Sequence, residues 1–235
     1  TVNVVVGETN DGYLNDLQGR HVGQAEVDAA LSAARSSGDL APVVEGCVGA
    51  GTGTTCYGWK GGMGTASRVT PAERGGWTVG ALVQTNFGRA DELIFAGIPV
   101  GKWLHPPAQP IPSRPEKGSV MVILATDAPL DSRQLHRLCV RAGAGLARTG
   151  SHIGHGSGDF VIAFSTARRI LHWPESLTET AQVLADEGQA MAGLFPAVVE
   201  AVEEAVLNSL CAATTTTGRD SHIRYALPVE KIPRE

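Results

Sequence analysis

The sequence predicts a layered α+β or α/β fold, and three observations carry that prediction. Short apolar runs at Val2–Val6, Trp77–Gly88, Val120–Ala125 and Phe160–Phe164 have strand length and are bounded by turn formers. Apolar residues recur at helical spacing over 24–36, over 131–146 and from Pro196 onward. A hydrophobic content of 43% against 18% charged suits a globular interior, and 235 residues are enough to build one. Strands and helices that alternate in this way stack in layers to bury their apolar faces.

Taken in order, Val2–Val6 reads as a strand, followed by Gly7-Glu8-Thr9-Asn10-Asp11-Gly12, dense in turn formers. From Gln24 to Ser36, Val27, Ala30, Leu31 and Ala34 mark one helical face; Glu26 and Asp28 suit its positive N-terminal end, and Gly38 stops it. Of the 29 glycines, eight fall in the run Gly46–Thr65. Gly51-x-Gly53-x-x-Cys56 lacks the last glycine of the dinucleotide fingerprint, and Trp59 intrudes where a phosphate-binding loop needs its lysine. The run therefore reads as a structural turn lining a pocket. Trp77–Gly88 is a strand with a polar tip at Asn86, and Gly101–Lys117 is a proline-bearing loop. Gly118-Ser119 then opens the apolar run Val120–Ala125. Asp131-Ser132-Arg133-Gln134 resembles a capping box, with Leu135, Leu138, Ala142 and Leu146 as the helix's apolar face. Phe160–Phe164 reads as a second buried strand. A last helix starts near Pro196, with Val199, Val202, Val206 and Leu210 inside and Glu200, Glu203 and Glu204 outside. The tail from Thr214 is polar and unpatterned.

Composition excludes several function classes. A net charge of -5 without a Lys/Arg cluster argues against nucleic acid and anionic membrane as partners, and no apolar run has transmembrane length. Cys47, Cys56, Cys139 and Cys211 form no C-x-x-C pair and no zinc-like spacing, so a reducing, cytoplasmic setting is expected. His152 and His155 lie in a glycine-rich stretch without a third ligand nearby, and read as solvated loop histidines. No metal or other cofactor is expected. Neither H-E-x-x-H nor S-x-x-K occurs, and Ser157 has His155 and Asp159 where a nucleophile elbow has glycines.

The chemistry centres on Ser119. A small hydroxyl residue behind a glycine at the head of a buried strand suits a nucleophile freed by cleavage at Gly118–Ser119, its own α-amine serving as base. The same dipeptide also suits a plain turn before a strand. Asn86 could donate an amide N–H to a developing oxyanion or cap a turn. Ser157 and Asp159, two apart, share a face if strand geometry already applies, and could relay the serine's proton; they also suit a Gly-Ser-Gly-Asp turn.

Five stretches together carry a resemblance: Gly7 to Asp16, Gly49 to Arg68, Val79 to Gly88, Gly118 to Leu130, and Gly145 to Thr166. In these the chain resembles the L-aminopeptidase/D-Ala-esterase family, which includes the β-peptidyl aminopeptidases. The resemblance implies an α+β fold, a four-layer αββα sandwich like that of N-terminal nucleophile hydrolases. It implies self-cleavage before Ser119 into an α chain (residues 1–118) and a β chain (119–235) that stay together as one domain, in a homo-oligomer of such units. Ser119 would attack an N-terminal aminoacyl amide or ester, with Asn86 on the oxyanion and Ser157 and Asp159 supporting the nucleophile. Glu8 would bind the substrate's free ammonium, and Asn10 and Tyr13 would make further substrate contacts. An acyltransferase resembling ornithine acetyltransferases, or a nylon-oligomer-type amide hydrolase, is the alternative on the same scaffold. Family precursors carry a sizeable portion before the strand at Val2–Val6, so Thr1–Val6 is expected to lie in the middle of an α chain.

Overall fold

The computed structural model describes residues 4–36, 42–108, 118–174 and 176–233. Its centre is a four-stranded sheet, in the order β3 (Met63–Val69), β4 (Thr78–Asn86), β5 (Ser119–Thr126) and β6 (Gly158–Ser165). A short hairpin precedes the sheet, β1 (Thr55–Cys56) against β2 (Trp59–Lys60), and the pair β7 (Thr216–Thr217) and β8 (Ile223–Arg224) follows it. Strands β3, β4 and β5 are antiparallel neighbours, whereas β5 and β6 run parallel. A parallel pair needs a long crossover. Helix α2 (Ser132–Arg148) supplies it, opened by the expected capping box, in which the Asp131 carboxylate accepts from the Gln134 N–H at 2.7 Å and the Gln134 side chain accepts from the Asp131 N–H at 3.1 Å.

Strand alternation gives each face of the sheet its own fate. Val79, Ala81, Val83, Val120, Val122 and Leu124 point to one side. There they form the core with Leu138, Ala142 and Leu146 of α2, and with Val198, Val202, Val206 and Leu210 of α3 (Gln189–Cys211). Burial of this apolar surface is the main stabilising term. Glycine permits the closest approach: a Cβ on Gly64 of β3 would stand 1.9 Å from the Ala205 carbonyl oxygen of α3. The opposite face is bare over much of its length, with Ile123, Phe160, Ile162 and Phe164 exposed. The described residues thus form two layers, a helix pair on one side of a sheet, within the α+β class.

Several expectations need correction. Val4–Val6 is irregular and exposed, because among the described residues it has no strand to pair with; Thr1–Asn3 lie outside them. Phe160–Phe164 is half buried, not fully, since only Val161 and Ala163 face the helices. The last helix begins at Gln189, and Pro196 lies inside it. The burial of Met191 and Leu194 rewards the extra turns despite the missing N–H. In α2, Leu135 is only half buried, and Gln134 takes the inner position, its amide donating to the Leu184 carbonyl at 2.6 Å. The tail contains β7 and β8. Helix α1 (Gln24–Ser36) has the expected bounds but no buried residue. Gly38 and residues 109–117 of the proline-bearing loop are outside the described residues. Among those residues no helix is long and apolar enough to cross a membrane, and no cluster of three potential metal ligands occurs.

Candidate active site

The strand register decides which residues meet. Asn86, last in β4, pairs with Ser119, first in β5, and Ser119 pairs with Gly158 at the start of β6. All three sit at one end of the sheet. The Asn86 and Ser119 side chains lie on the same, open side, and the Asn86 amide nitrogen is 3.4 Å from the Ser119 hydroxyl. Ser119 is half buried and Asn86 is buried.

Ser157 and Asp159 form the second pair, with the Ser157 hydroxyl donating to Asp159 Oδ1 at 2.7 Å. Asp159 is in register with Val120, so this pair lies toward the side opposite the Ser119 hydroxyl. It flanks the preceding peptide instead: the Gly158 N–H donates to the Gly118 carbonyl at 3.0 Å, and a Cβ on Gly118 would be 3.3 Å from the Ser157 hydroxyl. Asp159 Oδ2 is buried without a hydrogen-bond partner. A buried acceptor left unpaired is costly, and marks a place where a donor is wanted. The Gly118–Ser119 peptide therefore runs between an amide donor on one side and a hydroxyl–carboxylate pair on the other.

Residues 7–10 roof the Ser119 end of the open face. Gly7 abuts the Met121 side chain, the Thr9 hydroxyl accepts from the Gln84 amide at 2.8 Å, and the Asn10 carbonyl accepts from the Asn86 amide at 3.0 Å. Within this roof Glu8 is exposed, beside the buried Thr9. Asn10 turns its side chain back on the Gly12 N–H at 3.1 Å. Tyr13 stacks on His222 with ring centroids 4.3 Å apart, and its other face carries the Arg224 guanidinium at 3.7 Å.

The glycine-rich run is scaffold, as its sequence suggests. Tyr57 and Gly58 turn the β1–β2 hairpin with φ of 49° and 74°, and the fully buried Lys60 ammonium donates to the Gly51 and Gly61 carbonyls at 2.7 and 2.8 Å. The run delivers Thr55, whose N–H donates to Asn86 Oδ1 at 3.0 Å. Thr55, His222 and Arg224 are not legible as site neighbours, because only the fold brings the β1 hairpin against Asn86 and the tail against Thr55 and Tyr13. His152 remains on the surface, 3.5 Å from Glu92. A cleft of about 670 Å³ lies among Arg68, Arg148, Glu200, Glu203 and Glu204, and none of the expected site residues lines it.

Known proteins resemble this chain along most of its length. The family model "Peptidase family S58" matches residues 1–224. The β-peptidyl aminopeptidase BapA of Sphingosinicella microcystinivorans is 40% identical over 236 residues, which cover 95% of this chain and 58% of that protein. Its counterpart in Sphingosinicella xenopeptidilytica is 39% identical over 245 residues, 98% of this chain and 58% of that protein. Among solved structures, a Burkholderia β-aminopeptidase matches with a TM-score of 0.80 and 42% identity, over 93% of this chain and 59% of that one. The L-aminopeptidase D-Ala-esterase/amidase of Ochrobactrum anthropi, described as a prototype for the serine aminopeptidases and a new variant of the Ntn hydrolase fold, matches with a TM-score of 0.81 and 40% identity, over 94% of this chain and 58% of that one. The chain thus spans somewhat more than half the length of these relatives. A match running from the roof loop through both pairs to Arg224 leaves one assignment: the chain belongs to peptidase family S58.

Proposed function

We propose that the chain carries the site of a self-processing serine aminopeptidase/amidase, which removes N-terminal aminoacyl units, including β-aminoacyl units, from peptides, amides or esters. The observation that carries this reading is the placement of the Gly118–Ser119 peptide between the Asn86 amide and the Ser157–Asp159 pair. The names of the relatives support the substrate class.

In the uncut chain the Ser119 hydroxyl adds to the Gly118 carbonyl carbon and the C–N bond breaks, leaving an ester and a free α-amine. Water hydrolyses the ester, giving the Gly118 carboxylate and regenerating the hydroxyl. The amine then sits where the Gly118 peptide was, beside the Ser157 hydroxyl and within the region where Asp159 Oδ2 lacks a donor. With a pKa of about 7.7–8.0 for such an amine, it can take the hydroxyl's proton near neutral pH. In turnover the Ser119 oxygen attacks the aminoacyl carbonyl, and the Asn86 amide N–H stabilises the oxyanion as the tetrahedral intermediate forms. The proton passes to the leaving amine, and water then releases the aminoacyl group. Glu8, exposed in the roof, is proposed to receive the substrate's ammonium as an ion pair. Asn10 and Tyr13 are proposed as further substrate contacts, although the Asn10 side chain is turned to the Gly12 N–H and the Tyr13 ring lies between His222 and Arg224.

The test is Ser119→Ala. The wild-type protein gives fragments whose masses correspond to a break before Ser119, and hydrolyses aminoacyl-p-nitroanilides; the variant stays whole and inactive. A variant that still matures and turns over substrate would falsify the reading.

A further inference from the structure

The orientation of the Asn86 amide is fixed by partners whose roles are unambiguous. The Thr55 backbone N–H can only donate, and it meets Asn86 Oδ1 at 3.0 Å. The Asn10 carbonyl can only accept, and it meets Asn86 Nδ2 at 3.0 Å. The nitrogen is thereby turned toward the Ser119 hydroxyl. Thr55 is therefore half of the device that aims the amide, and what holds Thr55 matters.

Its hydroxyl accepts from Arg224 Nε at 3.0 Å. Arg224 is half buried, and among the described residues no carboxylate lies within ion-pair distance of it. Burial draws its pKa below the usual guanidinium value, with Tyr13 acting the other way. A half-buried cation without a carboxylate is retained at a cost in desolvation, and here its neighbours form one stack. The guanidinium lies over Tyr13, Tyr13 lies over His222, and His222 Nδ1 is 2.7 Å from the Tyr13 carbonyl oxygen. The backbone beside Arg224 is tied to the same hairpin, since the Lys60 N–H donates to the Tyr225 carbonyl at 2.8 Å. A tail that carried no signal in sequence thus grips the hairpin next to the site.

We propose that Arg224 is a positioning residue for the oxyanion-binding amide, acting through Thr55; this rests on the function proposed above. Neither Thr55 nor Arg224 is hydrogen-bonded to the Ser119 hydroxyl, and Thr55 reaches the site through the Asn86 amide, so the loss of the Thr55 link is expected in transition-state stabilisation more than in substrate affinity.

The experiment measures kcat and KM on an aminoacyl-p-nitroanilide for the matured wild type, Arg224→Met, Thr55→Val, the double variant and Thr55→Ser. Each of the first two substitutions is expected to lower kcat roughly tenfold, within the range that sub-ångström misplacement of a catalytic group produces, with KM within about twofold. The double variant is expected to be no worse than either single one, because both break the same link. Thr55→Ser, which keeps the hydroxyl, recovers most of the loss. Thermal unfolding of each variant accompanies the kinetics. Thr55→Val removes only the hydroxyl's link, so it decides the matter even if Arg224→Met fails to fold. Unchanged kcat in Thr55→Val, multiplicative losses in the double variant, or a loss confined to KM overturns the inference. An active wild type with those results leaves the proposed function standing, whereas an uncut, inactive wild type removes the function itself.

Discussion

Two cysteines set on the same scaffold are pulled in opposite directions by their surroundings. Cys56 is fully buried, and desolvation pushes its thiol up to about 12 despite its contacts with Thr85 and Phe87. Burial also acts to raise the half-buried Cys47. There the Thr214 N–H, the hydroxyls of Thr214 and Thr216, and the Lys60 ammonium outweigh it and hold the thiol below its usual value. Because the thiolate is the nucleophile, Cys47 is expected to react first with iodoacetamide near pH 8 and Cys56 last. Peptide mapping after a short exposure checks this, and labelling of Cys56 ahead of Cys47 would contradict it. Cys211 is exposed but raised, by burial of its sulfur and by the nearby Glu45 carboxylate, so it should follow Cys47. At this scale the sequence had the residue types right and their environments hidden. Ser119, Asn86, Ser157 and Asp159 stand out as chemistry-bearing groups next to turns and strand ends, but Thr55 and Arg224 carry no local mark. Their meaning comes from a hydrogen bond between residues 169 positions apart in the chain.

Elements were legible wherever local rules agreed with tertiary demand. The capping box at Asp131 and the bounds of α1 follow from capping and periodicity alone, and β5 extends the apolar run Val120–Ala125 by one residue at each end. Where they failed, a partner decided. Val4–Val6 has strand composition but no neighbour to bond with, and α3 extends back past Pro196 because Met191 and Leu194 find the core. Strand β3 meets α3 closely at Gly64, where a side chain would collide with the Ala205 carbonyl. Gly64→Ala should therefore destabilise the fold by about 3 kcal/mol through forced displacement of α3 from the sheet. Chemical denaturation of the variant measures this. A change of no more than about 0.5 kcal/mol would show that the interface yields.

At the scale of the whole molecule, the proposed cut between 118 and 119 falls between strands that pair along their full length. β4 and β5 are joined in register from Val79–Thr126 to Asn86–Ser119, and the helix-side core draws on both halves. Residues 1–118 and 119–235 should therefore remain together after cleavage. Two bands on a denaturing gel with one native mass is the expected result, and separation of the pieces without denaturant would refute it. The bare sheet face, with Leu82, Ile123 and Ile162 in one row and Phe164 beside them, is a larger apolar exposure than scattered surface residues explain. The fold class, the strand that begins at Ser119, the absence of common hydrolase motifs and the family resemblance were all determined by the sequence, because each rests on neighbours within a few positions or on motif spelling. Which side of the sheet each group takes was decided only in three dimensions. Register placed Asn86 beside the Ser119 hydroxyl, put Ser157 and Asp159 beside the Gly118 peptide, and brought Arg224 to Thr55, because pairing between distant strands depends on the packing of the whole sheet and not on any local run of residues.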